Sequence, residues 1–320
     1  MGSVVLYILP LSHRWRVGAN ERTAPRPKQH HSYPPVCHSE ALLFSSLFLQ
    51  LDKTVLSSRT MLLENKVALI TGSGRGIGRA IAKLFSEHGA SVFLTARTEA
   101  QLASVAKEIA KAGGQTDFLP ADLTNQDDCE EAVRAALAKF GRVDILVNNA
   151  GHYGPVVPVE EYALEEFDKV IAVHLRAAFI LSKLVLPEMY ARQSGVILNI
   201  SSLSAKAAYA WGSAYAAAKA GMLGLTRVMA AEAARQGVRV NAICPGPVTE
   251  TEMSKELGRV LAKRLGVSPE EQLKGFLSSI PQGRGQTALE ISQAALFLCS
   301  DMSSAMVGQS LNVDGGVAFF

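Results

Sequence analysis

A tyrosine and a lysine stand four residues apart at Tyr215 and Lys219, and Ser202 lies thirteen residues before the tyrosine. Residues four apart on a helix share one face, so the phenol and the ammonium would be neighbours. A free tyrosine has a pKa near 10, and proton transfer near neutrality needs a pKa about three units lower. Because a nearby cation lowers a phenol's pKa, the trio predicts a tyrosine acid/base assisted by Lys219 and Ser202. The same spacing also occurs by chance on surface helices.

A glycine-rich loop, TGSGRGIG at residues 71–78, follows a β-branched run and precedes a helical pattern. Backbone N–H groups at a helix N-terminus bind phosphate, and the positive end of the helix favours the anion. Ile77 stands where the general dinucleotide fingerprint has its third glycine, so that fingerprint is not matched. The loop alone is also compatible with a tight turn. Its place between a strand and a helix favours a pyrophosphate site carried by Gly72, Gly76 and Gly78.

Short β-branched runs alternate with helical patterns from Lys66 onward, as in a parallel sheet covered on both faces. Seven runs predict strands, at residues 66–70, 91–96, 118–123, 143–149, 195–201, 238–244 and 310–316. The longest helical patterns span 164–190 and 213–236, and capping-box signatures predict helix starts at Thr98 and Thr287. We therefore predict an α/β fold, a single-domain, Rossmann-type, doubly wound parallel sheet of about seven strands.

Composition excludes several classes of protein. The chain has 320 residues, 48% of them hydrophobic, and a mean hydropathy of +0.15, which supports a packed core. After residue 60 it carries 25 Lys/Arg against 26 Asp/Glu, so nucleic acid is not an expected partner. The four cysteines form no CxxC pair, and the apolar runs at 4–11 and 41–51 are short for a membrane helix. We expect a soluble, cytoplasmic protein without a metal site or membrane contact.

Residues 1–60 differ in composition from the rest of the chain. They hold five of the 13 prolines and four of the seven histidines but only two of the 26 glycines. We predict an N-terminal extension that is disordered, a targeting segment or a gene-model artefact, followed by one domain at 61–320. The basic, acid-poor stretches of the extension leave mitochondrial import open.

Together these motifs resemble the short-chain dehydrogenase/reductase family, in its group with a TGxxxGxG loop. The resemblance covers residues 64–317 and is carried by residues 71–78, Asp122, residues 148–151, Ser202, Tyr215, Lys219, Pro245, Gly246 and residues 314–316. Within the family, the 3-oxoacyl-[acyl-carrier-protein] reductases are the most similar group.

The resemblance implies roles for individual residues. Tyr215 would protonate the carbonyl oxygen as a hydride arrives from the nicotinamide, Ser202 would orient that oxygen, and Lys219 would hold the nicotinamide ribose and lower the tyrosine pKa. Residues 148–151 would line the adenine side of the cofactor site. The implied cofactor contacts are Thr71, Gly72, Ser73, Arg75, Gly76, Ile77, Gly78, Arg97, Asp122, Leu123, Asn149, Ala150, Gly151, Tyr215, Lys219, Pro245, Gly246, Val248 and Thr251.

The charge at the end of the second strand predicts the cofactor. NAD-binding proteins place a carboxylate there for the ribose 2′-hydroxyl, whereas a 2′-phosphate requires cations. Here Ala96 ends the strand, Arg97 follows it, and Arg75 lies in the glycine loop. Both arginines could fork onto a 2′-phosphate, so NADP(H) is favoured over NAD(H).

One residue departs from the family pattern. The family usually has an asparagine in the helix after residues 148–151, where it supports a water chain to the catalytic lysine, and His174 stands there in this chain. An imidazole can hold a water and can titrate near neutral pH, so we name His174 as a catalytic candidate. A buried histidine with no catalytic part is the alternative.

The substrate is a small-molecule carbonyl or alcohol, and several classes stay open. His152, Tyr153, Tyr209 and Trp211 are expected to line the mouth of the site, beneath a lid formed by residues 252–282. A 3-oxoacyl thioester is the favoured substrate, with a sugar, a steroid or another small alcohol as the alternative. A regulator that senses NADP(H) without turnover is the second hypothesis. By resemblance we expect a homotetramer or a homodimer, assembled through the two long helices.

Overall fold

Seven short apolar segments pair into one parallel sheet in the computed structural model, which describes residues 61–319. They are β1 Val67–Thr71, β2 Ser91–Ala96, β3 Thr116–Pro120, β4 Ile145–Asn148, β5 Gly195–Ile200, β6 Val238–Pro245 and β7 Ser310–Val313. The strand order is β3-β2-β1-β4-β5-β6-β7, so the order reverses between β1 and β4. Connections leave these two strands towards opposite faces and open a crevice at their carboxyl ends. The predicted doubly wound sheet is confirmed, and the predictions for residues 1–60 lie outside the described residues.

Helices cover both faces of the sheet. They are α1 Gly76–Glu87, α2 Glu99–Lys111, α3 Gln126–Phe140, α4 Leu164–Ile171, α5 Ala177–Ala191, α6 Ser213–Ala233, α7 Glu252–Leu265, α8 Pro269–Ser278 and α9 Ala288–Cys299. Successive strand residues face opposite sides, so Ile70 packs in one core with α1, α2 and α9, while Leu69 packs in the other with α3, α5 and α6. Strands buried on both sides explain the near-continuous apolar runs of the sequence.

Two strands end three residues before their predicted ends. The strand predicted at 310–316 ends at Val313 because Asp314 turns the chain, its carboxylate accepting hydrogen bonds from the N–H groups of Gly316 (3.0 Å) and Ala318 (2.8 Å). The strand predicted at 118–123 covers Thr116–Pro120 instead. It ends there because the Asp122 N–H donates to the Asp128 carboxylate (2.7 Å) and begins the turn into α3.

The helical stretch predicted at 164–190 contains a wide turn. The π-helical segment Ala172–Arg176 joins α4 to α5 and carries His174. Such π-turns recur at functional sites. By length and composition Leu164–Ala191 is apolar enough to cross a membrane. In this fold the stretch contributes Leu181, Val185 and Met189 to the core beneath the sheet.

One of the two predicted capping boxes is present. The Thr287 side chain accepts from the Glu290 N–H, and the Glu290 carboxylate accepts from the Thr287 N–H, as the prediction requires. Thr98 is the N-cap of α2, so the predicted helix start is confirmed, but its side chain makes no cap hydrogen bond and the capping box itself is absent. The physical reason is that the Gln101 side chain packs against Gly74 of the glycine loop instead of returning to Thr98.

The two helices expected at a subunit interface expose large apolar side chains. Phe179 in α5 is 52% exposed and Val228 in α6 is 56% exposed. The homotetramer stays a prediction, because the structure describes a single chain.

Candidate active site

A cleft of about 910 Å³ opens at the carboxyl ends of the strands, where the strand order reverses. Its walls include eleven of the predicted cofactor contacts: Gly72, Arg75, Gly76, Ile77, Arg97, Asp122, Leu123, Asn149, Ala150, Gly151 and Thr251. Dinucleotides bind in crevices of this size and position in open α/β sheets. Pro245, Gly246 and Val248 are not among the cleft's lining residues; they lie at the end of β6 and in the segment that follows.

The glycine loop has the backbone geometry that a phosphate cradle needs. Gly72 and Gly76 adopt φ angles of +63° and +55°, which glycine tolerates at little cost. A Cβ on Gly78 would lie 2.3 Å from the Gly72 carbonyl oxygen. The first turn of α1 has no acidic residue, and its N-cap, Arg75, makes no side-chain cap bond. The N–H groups and positive end of α1 therefore suit an anion, and this loop fits a pyrophosphate.

Thr71 and Asn149 join the glycine loop to the end of β4. The Thr71 hydroxyl oxygen accepts from the N–H groups of Asn149 (2.8 Å) and Ala150 (3.0 Å). The Asn149 amide donates in return to the carbonyl oxygens of Thr71 (2.8 Å) and Gly72 (3.2 Å). The loop is therefore held rigidly at the place where the cleft opens.

Asn148 does not wall the adenine side, contrary to the expectation for residues 148–151. Its side chain is buried and donates to the Asn199 side-chain oxygen at 2.8 Å, beneath the strand ends. Asn199 in turn donates to the Thr226 hydroxyl (2.8 Å), so the three side chains connect β4, β5 and α6. Asn148 supports the framework, and the cleft wall begins at Asn149.

Arg75 and Arg97 stand without partners at the end of the cleft near β2. Within residues 61–319 neither guanidinium forms an ion pair or a hydrogen bond, and both are exposed. Arg79, on the helix α1 that follows the glycine loop, is by contrast paired with Glu108, its Nη2 lying 2.7 Å from the Glu108 carboxylate. The charge of Arg97 reaches into the cleft, where it helps burial lower the pKa of His152. Two unpaired cations at this end suit an anionic group.

Ser202, Tyr215 and Lys219 come together as predicted. Ser202 follows β5, and its hydroxyl contacts the Tyr215 hydroxyl through a hydrogen bond. Tyr215 and Lys219 lie one turn apart on α6, with the lysine Nζ 5.6 Å from the tyrosine ring centroid. Lys219 is 3% exposed and donates to the Ile200 carbonyl oxygen at 2.6 Å. A proton donor, a hydroxyl and an amine thus meet at one point.

The protonation of this trio differs from the expectation that Lys219 lowers the tyrosine pKa. Burial raises the pKa of Tyr215 to about 12, and the hydrogen bond from Ser202 only partly opposes it. Burial also lowers the pKa of Lys219 to about 7. Both shifts arise because a buried site disfavours the charged form of each group. Near neutral pH the phenol of Tyr215 therefore keeps its proton and is ready to donate it.

His174 lies between the cleft and Tyr215. Its Nε2 donates to the His152 carbonyl oxygen at 2.8 Å, and its ring meets the Tyr215 ring edge-on at 5.3 Å. Gly151 lies so close that a Cβ there would be 1.8 Å from the imidazole. Nδ1 is buried without a hydrogen-bond partner among residues 61–319. Burial, together with the Lys219 charge, holds the pKa of His174 well below its usual value, so the expected titration near neutrality is wrong.

Aromatic side chains form the mouth beside Tyr215. Tyr153 stacks on Tyr215 at 4.7 Å, and Tyr209 is 39% exposed nearby. Trp211 adopts a φ of +68°, an uncommon conformation for so large a residue. His152 lies instead along the cofactor cleft. Sequence reasoning missed Arg264, whose guanidinium carbon lies 5.4 Å from the Trp211 ring centroid.

Comparisons with known proteins agree with this site. The sequence model of the short chain dehydrogenase family matches residues 66–261. The 3-oxoacyl-[acyl-carrier-protein] reductase of Thermotoga maritima is 38% identical over 257 residues, 80% of this chain and 99% of that protein. The D-beta-hydroxybutyrate dehydrogenase of Cupriavidus necator is 38% identical over 259 residues, 80% and 98% of the two chains. A solved structure of a variant actinorhodin polyketide ketoreductase with NADPH matches with a TM-score of 0.77 and 35% identity over 80% of this chain and 98% of that one.

A doubly wound sheet, a phosphate-binding loop and a serine, tyrosine and lysine at the adjoining strand ends define an oxidoreductase that acts on CH–OH groups and carbonyls. The chain belongs to the short-chain dehydrogenase/reductase family. The resemblance inferred from the sequence is confirmed.

Proposed function

We propose that this protein is an NADP(H)-dependent reductase of 3-oxoacyl thioesters, interconverting the 3-oxo group and a secondary alcohol. The observation that carries the proposal is the Ser202, Tyr215 and Lys219 cluster beside a cleft with two unpaired arginines. The similarity to a 3-oxoacyl reductase and to an NADPH-bound ketoreductase supports this substrate class. The thioester is carried by acyl-carrier protein or by CoA.

In reduction, Tyr215 gives its phenolic proton to the carbonyl oxygen. A nicotinamide dinucleotide, when bound, would supply the hydride for reduction and accept it in the reverse direction. The carbonyl carbon gains the hydride and its oxygen gains the proton, so an alcohol forms and Tyr215 is left as a phenolate. Ser202 orients the oxygen by a hydrogen bond, and the Lys219 ammonium stabilises the phenolate.

The residues around the cleft fit the other parts of the dinucleotide. The N–H groups of the glycine loop would hold the pyrophosphate, and Asp122 and Leu123, just after β3, would contact the adenine. Pro245, Gly246, Val248 and Thr251 would face the nicotinamide end. Arg75 and Arg97 would bind the 2′-phosphate.

Substituting Arg97 by alanine tests the cofactor assignment. Removing a charged hydrogen bond to phosphate costs about 1.5–3 kcal/mol, so we expect the KM for NADPH to rise roughly 10- to 100-fold. The KM for NADH should change little, because NADH has no 2′-phosphate. Arg134→Ala, which removes a surface ion pair on α3, is the matched control. Equal rises in both KM values would contradict the assignment.

We also propose that His174 assists the proton relay as a neutral acceptor. Because Nε2 donates to the His152 carbonyl, Nδ1 carries the lone pair and can accept from a water that leads towards Lys219. His174→Asn keeps a hydrogen-bonding side chain, whereas His174→Leu removes it. We expect the asparagine variant to stay within about threefold of wild-type turnover and the leucine variant to lose roughly tenfold or more.

The pH dependence separates this role from titration of the imidazole. Since the pKa of His174 lies well below its usual value, the wild-type pH–rate profile should show no inflection from this group near neutrality. The profile of His174→Asn should therefore have the same shape. An inflection near neutral pH that disappears in His174→Asn would contradict the neutral-acceptor role.

The proposed function is tested on the full chain by following oxidation of NADPH and NADH in parallel. The acceptors are an acetoacetyl thioester, a diketone, a steroid ketone and a ketose. Fastest turnover of the acetoacetyl thioester with NADPH is the expected result. Faster turnover of the steroid ketone or the ketose would contradict the 3-oxoacyl thioester as the substrate and favour that other class. Tight NADPH binding without turnover of any acceptor would favour the nucleotide-sensing regulator.

A further inference from the structure

Helix α7 and helix α8, which form most of the expected lid, bury few side chains. Ala262 is the one buried residue of α7, and α8 has none. Leu265 is 50% exposed and Leu273 is 43% exposed. Segments that bury so little apolar surface belong to the weakly held parts of a fold. Individual polar contacts therefore decide where α7 lies relative to the site.

Arg264, near the end of α7, makes three contacts that cross to the loops around Tyr215. Its guanidinium carbon lies 5.4 Å from the ring centroid of Trp211. Its Nε donates to the Val156 carbonyl oxygen at 2.7 Å, and its Nη2 lies 3.7 Å from the Glu161 carboxylate. A planar guanidinium can stack on a ring and donate hydrogen bonds at its edge at the same time, which an ammonium cannot do.

The two loops that Arg264 contacts meet each other over Tyr215. Val156 is three residues beyond Tyr153, which stacks on the Tyr215 ring at 4.7 Å. Trp211 precedes Gly212, and a Cβ on Gly212 would lie 2.3 Å from the Tyr153 hydroxyl oxygen. Tyr153 thus packs against Gly212, the residue next to Trp211, and we refer to Tyr153 and Trp211 together as the aromatic wall. Arg264 touches this wall at both of its loops.

Trp211 needs an external support. Its backbone has a φ of +68°, in the left-handed region that is an outlier for a bulky residue. Such a conformation persists only where the surrounding structure holds it. The Arg264 guanidinium over the Trp211 ring, fixed in turn by the Val156 carbonyl, provides a contact of this kind.

We infer that Arg264 is a positioning residue that fixes the aromatic wall of Tyr153 and Trp211 beside Tyr215 and thereby selects carbonyl substrates by size. The inference rests on the proposed reductase function. With the wall fixed, the space above the Tyr215 hydroxyl has a defined width. Without Arg264 the aromatic wall moves. A small acceptor then binds less tightly, and a bulky acceptor meets less steric hindrance at the site.

The kinetic test compares Arg264→Lys and Arg264→Met with wild type, using acetoacetyl thioester as the small acceptor and a steroid ketone as the bulky one. We expect the KM for the small acceptor to rise about tenfold while kcat falls less, because the groups that transfer the proton are untouched. The ratio of kcat/KM for the small acceptor to kcat/KM for the bulky acceptor should therefore fall. Arg259→Lys is the matched control, since Arg259 lies on the same helix and pairs with Glu256.

A fluorescence test needs no substrate. The chain has two tryptophans, Trp15 and Trp211, so Trp15→Phe leaves Trp211 as the one reporter in the full chain. In that background Arg264→Lys should raise acrylamide quenching of Trp211 about twofold, because the stacked guanidinium no longer covers the ring. The Arg259→Lys control should leave quenching unchanged.

Raised quenching together with the KM effect supports the positioning role. Unchanged quenching, or raised quenching with unchanged kinetic constants, overturns it. If the wild-type chain turned over no acceptor, the proposed function would fail. The quenching comparison would still decide whether Arg264 holds Trp211.

Discussion

Replacing Tyr215 by phenylalanine is expected to lower the rate of carbonyl reduction by about 10²- to 10⁴-fold, the usual contribution of a positioned general acid. The substitution removes the hydroxyl that contacts Ser202 and keeps the ring that stacks on Tyr153 and meets His174 edge-on. The packing of the site is therefore preserved while its proton donor is lost. The measurement is kcat/KM for the best acceptor, with the Kd for NADPH obtained by nucleotide fluorescence.

The Kd for NADPH separates loss of chemistry from loss of the site. We expect it to change little, because the glycine loop, Arg75 and Arg97 lie apart from the Tyr215 hydroxyl. Turnover close to that of wild type would remove Tyr215 from the role of acid. A parallel loss of NADPH binding would point to collapse of the site rather than loss of a proton.

The raised pKa of Tyr215 also determines the pH dependence of the wild-type enzyme. Burial raises the pKa of this phenol to about 12, so the group stays protonated through the neutral range and reduction does not depend on its titration there. Oxidation of the alcohol needs the phenolate, so its rate should rise with pH. A positive charge beside the phenol, as on an oxidised nicotinamide, would move that rise towards neutrality.

The fold could be predicted from the sequence because its signals are local. The β-branched runs that became β1, β2 and β5 are bounded by turn residues and flanked by helical periods, and strands buried on both faces leave few alternatives to a parallel sheet. The ends of β3 and β7 were less predictable. They depend on hydrogen bonds that backbone N–H groups donate to the carboxylates of Asp128 and Asp314, which apolar periodicity does not encode.

The core of the site could be predicted for a similar reason. Tyr215 and Lys219 are neighbours through helix geometry alone, and the glycine loop follows directly from a strand that leads into a helix. Asn148 could not be placed in the same way. Whether its side chain faces the cleft or Asn199 depends on how β4 packs beside β5. The sequence around residue 148 does not predict that packing.

The electrostatics of the site were beyond sequence reasoning. Proximity of Lys219 to Tyr215 suggested a lowered tyrosine pKa, but burial of both groups acts in the opposite direction on each and dominates. Burial likewise removes His174 from the group of side chains that titrate near neutrality. Arg264 was missed because one arginine in a charged amphipathic helix has no sequence signal that marks its contact with Trp211.

Replacing Lys219 by methionine is expected to abolish most of the turnover and at the same time to stabilise the fold. The turnover loss follows because the amine beside Tyr215 can no longer stabilise the phenolate. The gain in stability follows because Lys219 is 3% exposed and burial lowers its pKa to about 7, which means that its charge is held in the folded protein at a free-energy cost. Methionine fills a similar volume without a charge.

The size of this gain follows from the pKa shift. Each pKa unit corresponds to about 1.4 kcal/mol, so the shift of Lys219 from 10.5 to about 7 corresponds to a cost of roughly 5 kcal/mol for the buried charge. The lost hydrogen bond to the Ile200 carbonyl offsets about 1 kcal/mol of this cost, so the free energy of unfolding is expected to rise by roughly 4 kcal/mol near neutral pH. The Tm should rise on the order of 10 °C. Lys183→Met, which removes an exposed lysine from α5, is the control and should leave the Tm nearly unchanged.

The pH dependence of the gain identifies its cause. Lys219 has a lower pKa in the folded chain than in the unfolded chain, so between these two values the unfolded chain binds one more proton than the folded chain. The free energy of unfolding of the wild type therefore rises with pH between about 7, the pKa of Lys219 in the folded chain, and 10.5, its pKa in the unfolded chain. The gain in the free energy of unfolding of Lys219→Met over wild type should be largest below pH 7 and should decrease as the pH rises from about 7 to 10.5. An advantage that stays constant as pH rises would show that the buried charge of Lys219 is not its origin, and a destabilised variant would show that the bond to Ile200 outweighs the cost of burial.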